Sequence, residues 1–207
     1  ITANRVAEAR ELVDKYYPEI SDDNPNIVNL HAKINQAEEN FAESVRYFEI
    51  NETLRKGEQV GIEACWNKAL LQLQYGDLEN GWKNYEVRWD WERFPTRKFD
   101  FSSPKWIGES LIGKSILLWG EQGIGDEVLF LTMLPSLLEL GPSKVGIYAS
   151  KKLCPVIERW YPNALVYPFG DDREVSKDKD FDHHLPVGSL PIRLGNPDVS
   201  GPKQFIK

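Results

Sequence analysis

The spacing of apolar residues changes near Pro95, and this change most constrains what the chain can fold into. Before Pro95, apolar residues recur at the three- and four-residue intervals that place them on one face of a helix. The clearest run is Ile62, Cys65, Trp66, Ala69, Leu70 and Leu73. After Lys114, Ser115–Trp119 (SILLW) is continuously apolar, which is typical of a strand covered on both faces. The sequence therefore predicts an α + α/β fold, helical first and then built on a parallel sheet.

The helical region has the pattern of repeated hairpins. Gly76 and Asp77 interrupt the run just described, and Asp77 can cap the helix that follows. That following helix carries an apolar stripe of three aromatic residues, Trp82, Tyr85 and Trp89. An earlier hairpin, with its turn at Glu39 and Asn40, begins about 37 residues upstream, near the roughly 34-residue period of tetratricopeptide repeats.

The second region alternates strand and helix patterns. Residues 145–149 and 164–167 are strand-like, and residues 125–140 and 151–160 are helix-like, with Ser150 as the cap of the second helix. This alternation predicts a parallel sheet with right-handed crossovers. The predicted domains are tetratricopeptide-like helical repeats over residues 1–95, an ordered connector over 96–113, and a Rossmann-like α/β domain over 114–207.

Composition and charge restrict which binding partners and which cellular compartment fit this chain. A net charge of −7 and a pI near 5.1 argue against nucleic acid as a partner. The most apolar stretch, residues 128–140, is too short to span a membrane and contains Pro135. Cys65 and Cys154 show no metal-binding or disulfide spacing, which favours a reducing, cytoplasmic location and no metal site.

A glycine-rich loop, residues 120–127 (GEQGIGDE), lies between the first strand and its helix. Ligands of open α/β sheets bind at this edge, outside the carboxyl ends of the strands. A phosphate-binding P-loop would need Lys and Ser or Thr after Gly125, where the chain has Asp126 and Glu127. The glycine order is also not that of a dinucleotide fingerprint. Neither nucleotide motif is therefore supported.

Three separated segments carry a family resemblance: residues 64–89, 104–134 and 186–195. In this order they resemble bacterial proteins in which tetratricopeptide repeats precede a glycosyltransferase-like domain of the GT-B class, related to O-GlcNAc transferases and heptosyltransferases. Such proteins have two Rossmann-like domains and bind a nucleotide sugar mainly in the second. The resemblance implies that this chain, which starts at Ile1 rather than Met, is a fragment ending after the first domain. We expect it to hold no cofactor and to transfer no sugar alone.

The resemblance also implies partners. The helical repeats are expected to bind a protein or peptide, and the α/β domain to face a sugar or protein acceptor. A face left exposed by truncation favours a homodimer. The alternative function is a non-enzymatic scaffold, in which the repeats bind a partner and the α/β part is a structural remnant.

Asp126 is the candidate catalytic residue of the glycine loop, as a general base that takes a proton from an acceptor hydroxyl. The alternative role is a helix cap. Gln122 and Glu121 are candidate contacts to an acceptor, although plain surface positions are equally open. The loop glycines are candidate substrate-binding positions that set the loop shape: Gly120, Gly123 and Gly125.

Residues 180–184 (DFDHH) contain a D-x-D and two histidines, which suggests a metal site. Adjacent histidines in an extended segment point to opposite sides, so we favour a strand end instead, with His183 or His184 as a lesser candidate for an acceptor contact. The tryptophans at helical spacing favour core packing over sugar stacking. Basic residues near the junction favour a solvated face, or pairing with the many acids, over a phosphate site: Arg88, Arg93, Arg97 and Lys98.

Overall fold

The computed structural model describes residues 5–17, 24–169 and 179–195, and the chain divides into two units, Ile1–Phe94 and Pro95–Lys207. The described part of the first unit contains the helices Val6–Tyr16 (α1), Pro25–Ala37 (α2), Phe41–Leu54 (α3), Gln59–Gln74 (α4) and Leu78–Tyr85 (α5), and a 3-10 helix, Glu86–Trp89. The described part of the second contains the strands Ser115–Trp119 (β1), Lys144–Ala149 (β2), Leu165–Pro168 (β3) and His183–Pro186 (β4). Its helices are Ile124–Leu131 (α6), Leu134–Leu138 (α7), Cys154–Trp160 (α8) and Leu190–Leu194 (α9), with a 3-10 turn at Val187–Ser189. The predicted fold class, helical and then α/β with a parallel sheet, is confirmed.

Helices α2 to α5 each pack against the next along the chain. The short turns between them make consecutive helices antiparallel, as expected of stacked hairpins. Their shared core is formed by small and large residues in alternation, Ala32, Phe48, Ala64 and Leu71. The predicted stripe of α4 was wrong at one position, because Leu70 is 42 % exposed whereas Leu71 is buried. The apolar run there is longer than one helix face, so spacing alone did not select the buried member.

The hairpin turns follow from their polar residues. Asn24 caps α2 by accepting a hydrogen bond from the Asn26 N–H at 3.1 Å. Asp77 caps α5 in the same way through the Asn80 N–H at 3.4 Å, as predicted. At the turn between α2 and α3, Glu39 takes a left-handed conformation with φ of 60°. The hydrogen bonds accepted by Asn24 and Asp77 satisfy amide groups that a helix leaves unpaired at its first turn.

The four strands are parallel and lie in the order β3-β2-β1-β4. All five residues of β1 are buried, as its continuous apolar sequence predicts. The chain builds outward from β1 to β3 and then returns to place β4 on the other side of β1. Strand order therefore reverses at β1, and the loops after β1 and β4 diverge at the carboxyl edge of the sheet, the usual place for a ligand in such folds.

Two predicted helices have different bounds in the structure. The helix expected over residues 125–140 is interrupted near Thr132 and Met133, because Pro135 has no N–H and cannot continue a helical ladder. Helix α8 begins at Cys154 rather than at 151. The Ser150 hydroxyl, expected to cap it, donates instead to Glu127. No helix among the described residues is both long and apolar enough to cross a membrane.

The first segment of the second unit, which precedes β1, covers one face of the sheet with aromatic side chains. The Phe99 ring centroid lies 5.3 Å from that of Trp119 and 5.4 Å from that of Tyr148. The Phe101 ring centroid lies 4.7 Å from that of His184. The same segment pairs with the free side of β4, where the Trp106 N–H donates to the His184 carbonyl at 2.9 Å. The sheet edge next to β4 is thus occupied at this residue.

Candidate functional site

A cleft of about 300 Å³ opens at the carboxyl ends of β1 and β2. Three parts of the second unit form it: the glycine loop after β1, the ends of β2 and β3, and the segment that follows Phe94. Its lining residues are Pro95, Thr96, Arg97, Phe99, Gly120, Glu121, Gln122, Glu127, Tyr148, Ser150 and Phe169. The structure therefore brings Gly120 and Gln122 of the predicted substrate-binding set to one cleft.

Glu127 is a buried carboxyl in this cleft, only 2 % exposed. Its oxygens accept hydrogen bonds from the Ser150 N–H at 3.0 Å and from the Ser150 hydroxyl, so it joins the start of α6 to the end of β2. A Cβ at Gly120 would lie 2.7 Å from the Glu127 Cδ, which explains why this position is glycine. Burial raises the pKa of Glu127, and the Ser150 hydrogen bonds only partly oppose that shift.

A second acid, Glu121, is buried to the same degree, at 2 % exposure. Its carboxyl lies against the backbone that follows β4, because a Cβ at Gly188 would be 2.3 Å from the Glu121 Oε1. Two acids of one loop thus extend to opposite sides of β1. Each is accommodated by a glycine that has no side chain to displace it.

Gln122 adopts a left-handed backbone conformation with φ of 62°, which is uncommon for a residue with a side chain. Its N–H donates to the Thr96 Oγ1 at 2.7 Å. This hydrogen bond ties the glycine loop to the segment that closes the cleft from the other side. Strained backbone held in this way is concentrated at functional sites.

Asp126 accepts a hydrogen bond from the Gly123 N–H at 3.0 Å. It thus satisfies a free amide at the start of α6, which is the capping role. Asp126, Gly123 and Gly125 are not among the residues that line the cleft. The general-base role of Asp126 stays a prediction, and its carboxylate is half-buried at the helix start.

The cleft has an aromatic wall. The Tyr148 and Phe169 ring centroids are 4.5 Å apart in an edge-to-face arrangement, and Phe99 stacks on Phe169 at 5.9 Å. Arg97 lies at the rim, exposed to solvent, with its guanidinium 5.8 Å from the Phe99 ring centroid. The wall is apolar and the loop opposite it is acidic.

Asp182 of the D-x-D lies away from the cleft, beside the first residue of β1. It accepts hydrogen bonds at 2.8 Å from both the N–H and the hydroxyl of Ser115, and these bonds lower its pKa. His184 accepts a hydrogen bond from the Trp119 indole N–H at 3.1 Å through its Nδ1. Among the described residues, no group of three or more His, Cys, Asp or Glu side chains could hold a metal ion.

The helical tryptophans and one of the basic residues pack inside the first unit. Trp82 lies 5.4 Å from Tyr85, and Trp89 lies 5.2 Å from Phe94, measured between ring centroids. Arg88 is fully buried and donates to the Glu86 carboxylate at 2.7 Å. The preference for core packing over sugar stacking fits these contacts. Arg88 is paired with an acid, which is one of the two roles expected for the basic residues, and it is buried rather than solvated.

Glu127 and Ser150 line the cleft, although the sequence pattern marks neither as a site residue. From the sequence, Glu127 only counts against a P-loop, and Ser150 is expected only as a helix cap. The available signal was positional, because Ser150 directly follows β2 and Glu127 lies in the first turn of the helix after β1, at the sheet edge where ligands of parallel sheets bind. The contact itself was not visible, because it joins residues 23 positions apart.

One known relative resembles part of the chain: Protein FlbA of Caulobacter vibrioides, which is 35 % identical over 101 residues. The aligned segment covers 48 % of this chain and only 17 % of FlbA, so the chain matches a small part of that protein's length. No family model matches the chain. No solved structure matches it either.

Proposed function

We propose that the chain belongs to a tetratricopeptide-repeat protein with a glycosyltransferase-like sheet domain, and that the cleft after β1 and β2 receives the acceptor sugar. The observation that carries this proposal is the cleft, which combines an aromatic wall with the buried Glu127 carboxyl at the carboxyl ends of β1 and β2. Sugar rings offer apolar C–H faces to aromatic rings and hydroxyl donors to carboxylates. The donor nucleotide sugar would be bound by a second Rossmann-like domain, as the sequence resemblance implies.

Nuclear magnetic resonance titration of the purified chain with neutral mono- and disaccharides tests this proposal. We expect shifts of the Gly120, Gln122 and Ser150 amides. Phe169→Leu should weaken binding, because Phe169 lines the cleft. Phe101→Leu is the matched control, since Phe101 belongs to the same aromatic layer without lining the cleft. The absence of any cleft shift with every sugar would contradict the proposal.

The chain alone is expected to transfer no sugar, because the donor is assigned to another domain. A radiolabel assay with common nucleotide sugars and acceptors checks this. Measurable transfer by the 207-residue chain would contradict the assignment of the donor to another domain. It would leave the acceptor role of the cleft standing.

A second function, partner binding by the first unit, is favoured by the stacked hairpins α2 to α5. Arrays of paired helices expose extended surfaces on which peptides bind. A peptide array followed by amide-shift mapping tests it, with the expected shifts confined to α2–α5. Shifts confined to residues 115–195 would contradict it.

We further propose a cytoplasmic location. Cys65 and Cys154 are both free and buried, as is usual for proteins of reducing compartments. Burial raises the pKa of the Cys65 thiol to about 12, so it is poorly reactive in the folded chain. Fractionation of cells that produce the whole protein checks the location.

A further inference from the structure

The two neighbouring acids at the start of α6 are placed differently relative to the cleft. Glu127 lines the cleft, whereas Asp126 does not and is engaged by the Gly123 N–H. Ser150 donates one hydrogen bond to each oxygen of Glu127. A carboxylate has about four acceptor positions, so, counting donors from the described residues, each Glu127 oxygen keeps one for a further donor.

The charge around the cleft disfavours anions. Glu127 is the buried acid whose carboxyl lies on the β2 side of the cleft, and no basic residue is buried within the described lining. Within the described lining, Arg97 is the cation, and it lies exposed at the rim beside Phe99. An anionic group brought next to buried carboxyls meets repulsion that solvent screens poorly, whereas a hydroxyl can donate to them.

The aromatic wall favours a ring-shaped ligand. Tyr148 and Phe169 present ring surfaces beside the acids. The faces of aromatic rings are electron-rich, so they attract the polarised C–H groups of a sugar and repel anions. Acids and aromatic rings thus select for the same ligand class.

Resting on the acceptor role proposed above, we propose that the Glu127 carboxyl binds a hydroxyl of an uncharged sugar, and that the same carboxyl excludes sugar phosphates and uronic acids. Glu127 is therefore a specificity-determining residue of the cleft. Asp126 holds the helix start and does not select the ligand.

The unmodified chain gives the first test, through titration with D-glucose, N-acetylglucosamine, D-glucuronate and glucose 6-phosphate. We expect the neutral sugars to bind at least about tenfold more tightly than the charged ones. Equal or tighter binding of either anion in the cleft would overturn the proposal. This arm requires no variant, so it does not depend on whether a substitution folds.

Variants give the second test. Glu127→Gln should weaken neutral-sugar binding about tenfold, in line with loss of a charged hydrogen-bond acceptor. The same change should strengthen binding of the anions several-fold, a reversal that a purely structural defect would not produce. Glu158→Gln on α8 removes an exposed acid outside the cleft lining and should leave both affinities unchanged. A larger loss from Asp126→Asn than from Glu127→Gln would overturn the assignment to Glu127.

The outcomes separate the two proposals. If anionic sugars bind in the cleft and neutral ones do not, the acceptor role stands and the proposed ligand class is wrong. If no sugar shifts any cleft amide, both proposals fail. If neutral sugars bind and Glu127→Gln changes nothing, the acceptor role stands and Glu127 is not the selecting residue.

Discussion

The two units each bury a charged side chain, and they compensate it differently. In the helical unit, the Lys68 side chain is 8 % exposed, and its Nζ lies 2.5 Å from a Glu52 oxygen and 3.9 Å from Glu49. In the sheet unit, Glu127 is 2 % exposed, and its hydrogen bonds among the described residues come from the neutral donors of Ser150. Within the described part of the chain, Lys68 is thus paired with opposite charge, whereas Glu127 is held by neutral donors.

The difference separates a structural group from a candidate functional one. A buried charge that faces an opposite charge keeps its ionised form and mainly fixes packing. A buried carboxyl with neutral partners has a raised pKa, and the negative Asp126 beside it adds to the shift. Groups perturbed in this way and located in a cleft are the usual candidates for ligand contact.

The largest effects are expected from adding a methyl group at one glycine in each unit. A Cβ at Gly61 would lie 2.2 Å from the backbone oxygen of Arg55, and one at Gly120 would lie 2.7 Å from the Glu127 Cδ. We expect Gly61→Ala to destabilise its unit by about 3 kcal/mol and Gly120→Ala by about 2 kcal/mol. Amide hydrogen exchange measures each unit separately.

The two clashes differ in whether a second change can relieve them. Glu127→Asp shortens the side chain opposite Gly120. Combined with Gly120→Ala, it should recover part of the stability that Gly120→Ala loses. Arg55→Ala should recover nothing for Gly61→Ala, because the clashing atom belongs to the backbone. If Glu127→Asp gave no recovery, the Glu127 carboxyl would not be the reason for glycine at position 120.

Neutralising each buried charge should change stability in opposite directions at pH 7. Lys68→Met keeps the apolar stem but loses the pair with Glu52, which is partly exposed, so we expect a loss of about 1–2 kcal/mol. Glu127→Gln keeps an acceptor for the Ser150 N–H and removes a buried charge, so we expect no loss or a gain. Denaturant unfolding followed in each unit checks the signs. A loss for Glu127→Gln comparable to that of Lys68→Met would remove the distinction between the two groups.

The stability of the sheet unit should depend on pH through Glu127. Burial raises its pKa in the folded chain above the ordinary value of 4.5, so the folded state holds this proton more tightly than the unfolded state. The resulting stabilisation is full below pH 4.5 and is lost as the pH rises through the folded pKa. The difference in unfolding free energy between Glu127→Gln and the unmodified chain should therefore grow over this range and then level off. A difference that stays constant with pH would show that the pKa is not raised.

The sequence predicted elements whose cause is local and failed where the cause is distant. Strand β1 follows from an unbroken apolar run, and the α5 cap follows from Asp77 after Gly76. The bridge from Glu127 to Ser150 depends on two strands lying side by side, which no local pattern encodes. The same holds for Asp182, whose acid suggested metal but whose partner is Ser115, 67 positions earlier.

The smallest effects should come from the two left-handed residues, one in each unit. Glu39 has φ of 60° at the turn between α2 and α3, and Gln122 has φ of 62° in the cleft loop. Replacing either with glycine removes a steric cost of about 1–2 kcal/mol from the folded state but raises the conformational entropy of the unfolded chain. We therefore expect a net gain in unfolding free energy below about 1 kcal/mol. Thermal unfolding checks the gain.

Glu39→Gly should leave sugar binding unchanged, whereas Gln122→Gly should weaken it, because the loop that carries Glu121 loses its fixed conformation. Equal binding by both variants would mean that the strain at Gln122 is no more functional than that at Glu39.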